Sequence, residues 1–407
     1  MPLRLAATAV AIVAFLLVPV AQAGSRSAFQ TQLARALHAR HISPARTGAI
    51  VFDLQAGTTL FAHNARLGLR PASNEKLATT YAALTALGPS FRIETDVLGE
   101  GHQDSTTWQG NLVLKGYGDP ALSFAQVNSL ARQVAAAGIK HVSGRVLGDE
   151  SWFDTRRTGL GWKPQFYLHE SPALSALIVN RGWTGRYETT RPALTAAQLF
   201  RHDLRRAGIT VHGGTALGVA SDEATPLAQV QSAPLSALVR HMDVHSDNFY
   251  AEMLLKEVGA VQGNLGSAAA GIAVERQLLR DAGVPLGGVR MVDGSGLSLL
   301  DRWTPLGLAT LLRTMYQDED LRPYLLPALP VAGKTGTLVH RMRTGPAHGL
   351  VRAKTGTTNN ASSLSGFVGE RYAFSIVENG SPVRVLNAEA SQNRFAQVLA
   401  RTVASTS

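Results

Sequence analysis

Pro71-Ala-Ser-Asn-Glu-Lys76 stands directly before a run in which Leu77, Tyr81, Leu84 and Leu87 recur at helical spacing. Gly88-Pro89 ends that run. Ser73 and Lys76 are three residues apart at the start of this predicted helix, so their side chains share one face. The exposed N–H groups of a helix start favour developing negative charge. A serine hydroxyl is a weak nucleophile and needs a base within hydrogen-bond reach. A lysine serves as that base only when neutral, and burial or a second cation nearby pushes it that way.

Further along the chain two segments complete a pattern with Ser73. Ser246-Asp247-Asn248 lies before another helical stretch. On a turn, that spacing points both outer side chains into one cleft. The hydroxyl then relays a proton to a leaving amine, and the amide holds substrate and Lys76. Lys354-Thr355-Gly356 lies in residues 352–358, read as an edge strand. Lys354 supplies the second cation. With Thr355 and Thr357 it suits a free carboxylate, Gly356 lets a substrate backbone approach closely, and the N–H groups of Ser73 and Thr357 form an oxyanion hole.

The chain has only seven lysines, and Lys76 alone has a serine three residues before it. Ser391-Gln392-Asn393 also fits S-x-N but follows the K-T-G segments, so the order excludes it. K-T-G occurs twice. Lys334-Thr-Gly-Thr337 follows Leu329-Pro-Val-Ala-Gly333, whereas Lys354 is followed by the strand-like Ala361-Ser-Ser-Leu-Ser-Gly-Phe367. A sheet edge should continue into a neighbouring strand, which selects Lys354.

The surrounding pattern predicts an α+β fold. An amphipathic helix over 29–37 precedes a hairpin, Thr47-Gly-Ala-Ile-Val-Phe-Asp-Leu54 and Thr58-Thr-Leu-Phe-Ala62 around Gly57. Short strands and helices at 92–98, 111–114, 124–137, 144–147 and 196–207 read as a region inserted over 92–225. Helices follow over 234–244, 246–258, 268–282 and 305–315, and the chain closes with strands at 361–368 and 372–377 and a helix at 391–403. The catalytic domain is therefore read as 24–91 joined to 226–407, with a sheet built from both ends of the chain.

Composition limits the function classes. Hydrophobic residues make up 45% of the chain and charged residues 17%, enough for a sizeable core and too apolar for disorder. Arg4, an apolar run over 5–20 and Ala21-Gln22-Ala23 predict a cleaved secretory signal over 1–23, hence an exported protein of the periplasm or outer cell envelope. No later run is long enough to span a membrane. The absence of cysteine excludes disulfides, thiol chemistry and thiolate zinc sites. The formal charge of +10 comes from scattered residues without interleaved aromatics, and with export this argues against nucleic acid. His241-Met-Asp-Val-His245 offers an i, i+4 histidine pair but no third ligand, and reads as a solvated or helix-end pair rather than a zinc site. Asp293-Gly-Ser-Gly-Leu297 lacks a phosphate loop's lysine and reads as a structural turn.

S-x-x-K, S-x-N and K-T-G in this order are the motif set of serine β-lactamases and penicillin-binding proteins. Longer stretches resemble one family, the D-alanyl-D-alanine carboxypeptidases/endopeptidases of low molecular mass that carry a large inserted domain. They are Pro71–Lys76, Gly116-Tyr-Gly-Asp-Pro120, Ser175-Ala-Leu-Ile-Val-Asn180, Ser246-Asp-Asn-Phe-Tyr-Ala-Glu252, Asp293-Gly-Ser-Gly-Leu-Ser298 and Val351-Arg-Ala-Lys-Thr-Gly356. The resemblance covers nearly the whole mature chain. It implies a penicillin-binding, β-lactamase-like core, an antiparallel sheet flanked by helices, with an inserted mixed α/β domain. It also implies acylation at Ser73, peptidoglycan stem peptides as substrates, β-lactam antibiotics as covalent inhibitors, and neither metal nor cofactor. Where the family has a G-x-D-G-T-L segment, this chain has Gly333-Lys-Thr-Gly-Thr-Leu338. The alternatives are a serine β-lactamase, a catalytically silent cell-wall binding protein and, more remotely, a zinc hydrolase at His241 and His245.

Overall fold

The computed structural model describes residues 20–404. The leader read over 1–23 lies outside the described residues except for its last few, which begin the first helix. Helix α1 (Val20–Leu37) precedes the hairpin β1 (Thr47–Asp53) and β2 (Thr58–His63), and a 3₁₀ turn, Ala72–Glu75, leads into α2 (Lys76–Leu87). Next come β3 (Glu94–Asp104), β4 (Thr107–Gly116), α3 (Phe124–Ala136), β5 (His141–Val142), β6 (Val146–Asp149), α4 (Pro192–Arg206), β7 (Thr210–Val211), β8 (Thr215–Leu217) and β9 (Thr225–Gln231). The chain continues through α5 (Leu235–His245), α6 (Asn248–Gly263), α7 (Ala268–Asp281), α8 (Pro305–Gln317) and α9 (Arg322–Ala328). It closes with β10 (Val351–Thr358), β11 (Ala361–Val368), β12 (Tyr372–Asn379) and α10 (Val385–Ala404).

Both ends of the chain build one five-stranded sheet in the order β10-β11-β12-β1-β2. Its pairings are all antiparallel, with Val51 opposite Phe374 and Lys354 opposite Ser365. Side chains alternate across a strand, and β1 shows the result. Ala49 and Val51 join the core beneath α1 and α10 with Leu33, Phe395 and Leu399. Ile50 and Phe52 join the opposite core with Leu77, Leu308 and Leu312. Helices thus cover both faces, and every residue of β11 is buried. Each large apolar side chain so buried stabilises the fold by about 1.5–3 kcal/mol. This is the α+β architecture expected from the sequence.

The second sheet is mixed. β3 pairs antiparallel with β4 and β9, while β5 and β6 run parallel to β4. Its own core, with Val97, Leu112, Leu130, Phe200 and Leu204, is closed by α3 and α4. β9 lies in this sheet, so the lobe runs on to Gln231, past residue 225. Between β6 and α4, residues 150–191 pack on both lobes: Leu177 and Val179 join the core of this one, and Phe153, Leu174, Ala176 and Ile178 join that of the first. Trp152 Nε1 donates to Glu257 Oε2 at 2.9 Å, and Trp162 Nε1 donates to Asp293 Oδ2 at 2.7 Å. Among the described residues no helix is long and apolar enough to cross a membrane.

Candidate active site

Ser73 lies in the 3₁₀ turn ahead of α2, and the turn is clamped to the edge strand β10. Asn74 Nδ2 donates to the Lys354 carbonyl at 3.1 Å, and Ser363 Oγ on β11 donates to the Pro71 carbonyl at 2.6 Å. A Cβ at Gly356 would fall 2.3 Å from Ser363 Oγ, 2.7 Å from Pro71 O and 2.9 Å from Ser73 N. From the sequence, this glycine is expected to make room for substrate. In the structure it makes room for the protein itself, because the missing side chain lets the turn that carries Ser73 lie flat on β10.

Lys76 is fully buried and uses all three ammonium protons. Its Nζ donates to Ser73 Oγ at 3.0 Å, to Asn248 Oδ1 at 2.8 Å and to the Ser295 carbonyl at 2.7 Å. Burial brings this ammonium down to about 8, with Asp293 and Glu252 pushing back upward. Ser73 itself is partly exposed, so the hydroxyl faces a cleft while Lys76 is sealed behind it.

Ser246 and Asn248 meet Lys76 from the junction of α5 and α6. Ser246 caps α5 in the left-handed region, φ 57°, and this sharp turn aims its hydroxyl at β10. Lys354 Nζ donates to Ser246 Oγ at 2.8 Å and to the Thr355 carbonyl at 3.0 Å. Burial, then repulsion from Lys76, lowers Lys354 to about 7, opposed by Asp243. Asp243 is buried as well and accepts from Thr80 Oγ1 at 2.6 Å. The intervening Asp247 caps α6 by accepting from the Tyr250 N–H at 3.2 Å. Burial raises its carboxyl, but a hydrogen bond from His241 and the charge of Arg181 outweigh that and hold it near about 2.

β10 presents its backbone to the cleft. Ala353 N donates to Pro330 O, and Val351 O accepts from Ala332 N, both at 2.9 Å on the side away from β11. N–H direction alternates along a strand, so the N–H groups of Thr355 and Thr357 also point off this edge. Thr355 Oγ1 donates to Thr337 Oγ1 at 2.7 Å. Exposed Thr357 lines a cavity of about 480 Å³ with Phe166, His169, Glu170 and Leu297.

All eight residues singled out from the sequence therefore converge. Four further groups carry little sequence signal. The Ser295 carbonyl belongs to the stretch read as a structural turn. It is aimed at Lys76 because Glu252 Oε1 accepts from the N–H groups of Gly294 and Ser295 at 3.1 and 2.9 Å. Glu170, from the segment between β6 and α4, accepts at its carbonyl from Asn248 Nδ2 at 3.0 Å. Thr337 belongs to the other K-T-G, whose Lys334 is exposed. The histidine pair does something else: His241 Nε2 lies 3.3 Å from Asp247 Oδ2, and its ring packs on Tyr250. Among the described residues no group of three or more histidines and carboxylates is arranged to hold a metal.

The sequence pattern of a family described as D-Ala-D-Ala carboxypeptidase 3 (S13) matches residues 29–186 and 185–403. A D-alanyl-D-alanine carboxypeptidase of Actinomadura sp. (strain R39) is 31% identical over 82% of this chain and 78% of its own length. The fold resembles that of penicillin binding protein 4 (dacB) from Haemophilus influenzae, with TM-score 0.81, 24% identity, and 92% and 98% of the two chains covered. That protein has also been crystallised with a β-lactam. A fold similarity with TM-score 0.56 and 18% identity, over 88% of this chain and 91% of the other, extends to Bd3459, a predatory peptidoglycan endopeptidase from Bdellovibrio bacteriovorus.

Proposed function

The chain belongs to the D-Ala-D-Ala carboxypeptidase 3 (S13) family and is a serine D-Ala-D-Ala carboxypeptidase, and we propose that its acyl-enzyme forms on Ser73 with Lys76 as the base. The observation that carries this is the 3.0 Å contact between Lys76 Nζ and Ser73 Oγ, made by a lysine that burial brings to about 8. A neutral Lys76 takes the hydroxyl proton across that contact as Ser73 Oγ bonds to the carbonyl carbon between two D-alanines. The oxyanion accepts from the N–H groups of Ser73 and Thr357. The C–N bond then breaks, and the leaving amine takes a proton relayed by Ser246, which sits on Lys354. Water hydrolyses the ester and frees Ser73.

The substrate lies along the free edge of β10, its terminal carboxylate held by Lys354, Thr355 and Thr357, while Asn248 holds its peptide group and Lys76 together. Peptidoglycan stem peptides fit this arrangement, both uncross-linked and as cross-linked dimers, which makes the chain a DD-endopeptidase as well. Such work belongs outside the cytoplasmic membrane. A β-lactam presents the same carboxylate and carbonyl and stalls at the ester. Labelled penicillin should attach covalently to the intact protein and not to Ser73→Ala; labelling that survives this substitution would sink the assignment.

A further inference from the structure

The Lys334-Thr-Gly-Thr337 segment, whose lysine takes no part in the chemistry above, borders a separate cavity of about 580 Å³. Arg240, Val244, Thr335 and Arg352 line it. Lys334 stands at its edge: a Cβ on the lining residue Gly349 would fall 2.8 Å from Lys334 Nζ. Three cations thus gather here against one lining carboxylate, Glu370. Among the described residues, the side chains of Arg240 and Lys334 make no hydrogen bond or ion pair, and Arg352 reaches only the Leu326 carbonyl, at 3.4 Å. A concave surface with uncompensated positive charge attracts anions.

Its position relates it to the cleft. Arg352 is two residues before Lys354 on the same face of β10, a step of about 7 Å along a strand. Val244 is two residues before Ser246, and Arg240 lies one helical turn further back on α5. Thr335 is two residues before Thr337, whose hydroxyl contacts Thr355. A turn alone separates cleft and cavity, and its Gly336 rests on Val244. The cavity therefore lies beyond Lys354 and Thr355, on the side where the leaving group of the scissile bond sits. Free D-alanine ends there. A longer leaving group continues past its first carboxylate and over the Thr335–Thr337 turn.

We infer that this cavity is a leaving-strand subsite for an acidic peptide, with Arg240, Lys334 and Arg352 receiving carboxylates of the second stem peptide in a cross-linked dimer. The inference rests on the catalytic reading above. It assigns the endopeptidase substrate a contact that the carboxypeptidase substrate never makes.

The test compares the intact protein with Arg240→Ala/Lys334→Ala on two substrates, an uncross-linked pentapeptide and a cross-linked stem-peptide dimer. Both side chains are exposed, so their removal spares the fold. The expected result is an approximately tenfold fall in kcat/KM for the dimer, no change for the pentapeptide, and a gap that closes in high salt. Equal behaviour of the two proteins on both substrates, or an equal fall on both, overturns the subsite while leaving the catalytic reading standing. Failure of the intact protein to cleave either substrate overturns the catalytic reading and the subsite with it.

Discussion

Lys334-Thr-Gly-Thr337 and Lys354-Thr-Gly-Thr357 are the same four residues in different surroundings. Lys354 is buried in an edge strand, donates to Ser246 and its own strand, and is lowered to about 7 by burial and by Lys76. Lys334 is exposed in a turn that follows Gly333 and donates to no side chain among the described residues. Gly356 gives the nucleophile's turn a flat surface, whereas Gly336 takes a left-handed φ of 55° against Val244. The four residues alone do not make the substrate anchor proposed for β10. A sheet edge aims the N–H groups of Thr355 and Thr357 outward, and burial beside Lys76 lowers Lys354.

The hardest test of this contrast is the pair Lys354→Ala and Lys334→Ala, assayed for D-alanine release from an uncross-linked pentapeptide. Lys354→Ala should lower kcat/KM by about 10²–10³-fold, the scale of losing one preorganised charge-stabilising donor. Lys334→Ala should leave it unchanged. A retained cooperative thermal transition separates lost chemistry from lost folding in the first variant. Equal losses would mean the wrong segment has been chosen as the anchor.

Next in size is Gly356→Ala. Its methyl group lands on Ser363 Oγ, Pro71 O and Ser73 N, so the nucleophile's turn must shift off β10. Overpacking of this kind costs about 1–3 kcal/mol of stability, and a displacement near 1 Å costs up to about 10²-fold in rate. Penicillin acylation rates and the melting temperature would both report it. Unchanged acylation would return the glycine to the role first expected, giving access to substrate.

The smallest effect is that of pH. The proposed mechanism needs Lys76 neutral to accept a proton and Lys354 charged to hold a carboxylate, yet burial brings the two to about 8 and about 7. Protons leave such a pair in two steps that belong to both groups. The productive arrangement is part of the one-proton state. Below the first step the base is charged, and above the second the anchor is neutral. The kcat/KM of a carboxylate substrate should therefore peak between these values and fall about tenfold per pH unit on either side. A profile that rises monotonically to pH 10 would show that Lys354 is not needed as a cation.

Much of this was legible in the sequence because side-chain identity carried it. The hairpin, the helix after Ser73, the closing strands and the eight named residues are patterns of residue type and spacing. What was hidden has no such signature. The Ser295 and Glu170 carbonyls act through the main chain, which every residue possesses. Glu252 acts only by fixing the direction of a loop. β9 escaped because Pro226 breaks a strand pattern from outside, although its place at the sheet's edge tolerates the missing N–H. Helix α9 carries Pro323 and Pro327 within seven residues, which masks its periodicity.

The hydrogen bond from Asn74 to Lys354 spans 280 positions of the chain, and that from Ser363 to Pro71 spans 292. β1, made early, finds its partner β12 only near the end. A ribosome therefore releases the serine long before the strand that completes its surroundings. Closing loops of this length is slow, and until the last strands dock, Ser73 lacks the Thr357 N–H of its proposed oxyanion hole and Lys76 lacks Lys354 behind it. A chain without its last strands therefore lacks part of the surroundings proposed to make Ser73 reactive, so site and sheet are completed by the same strands.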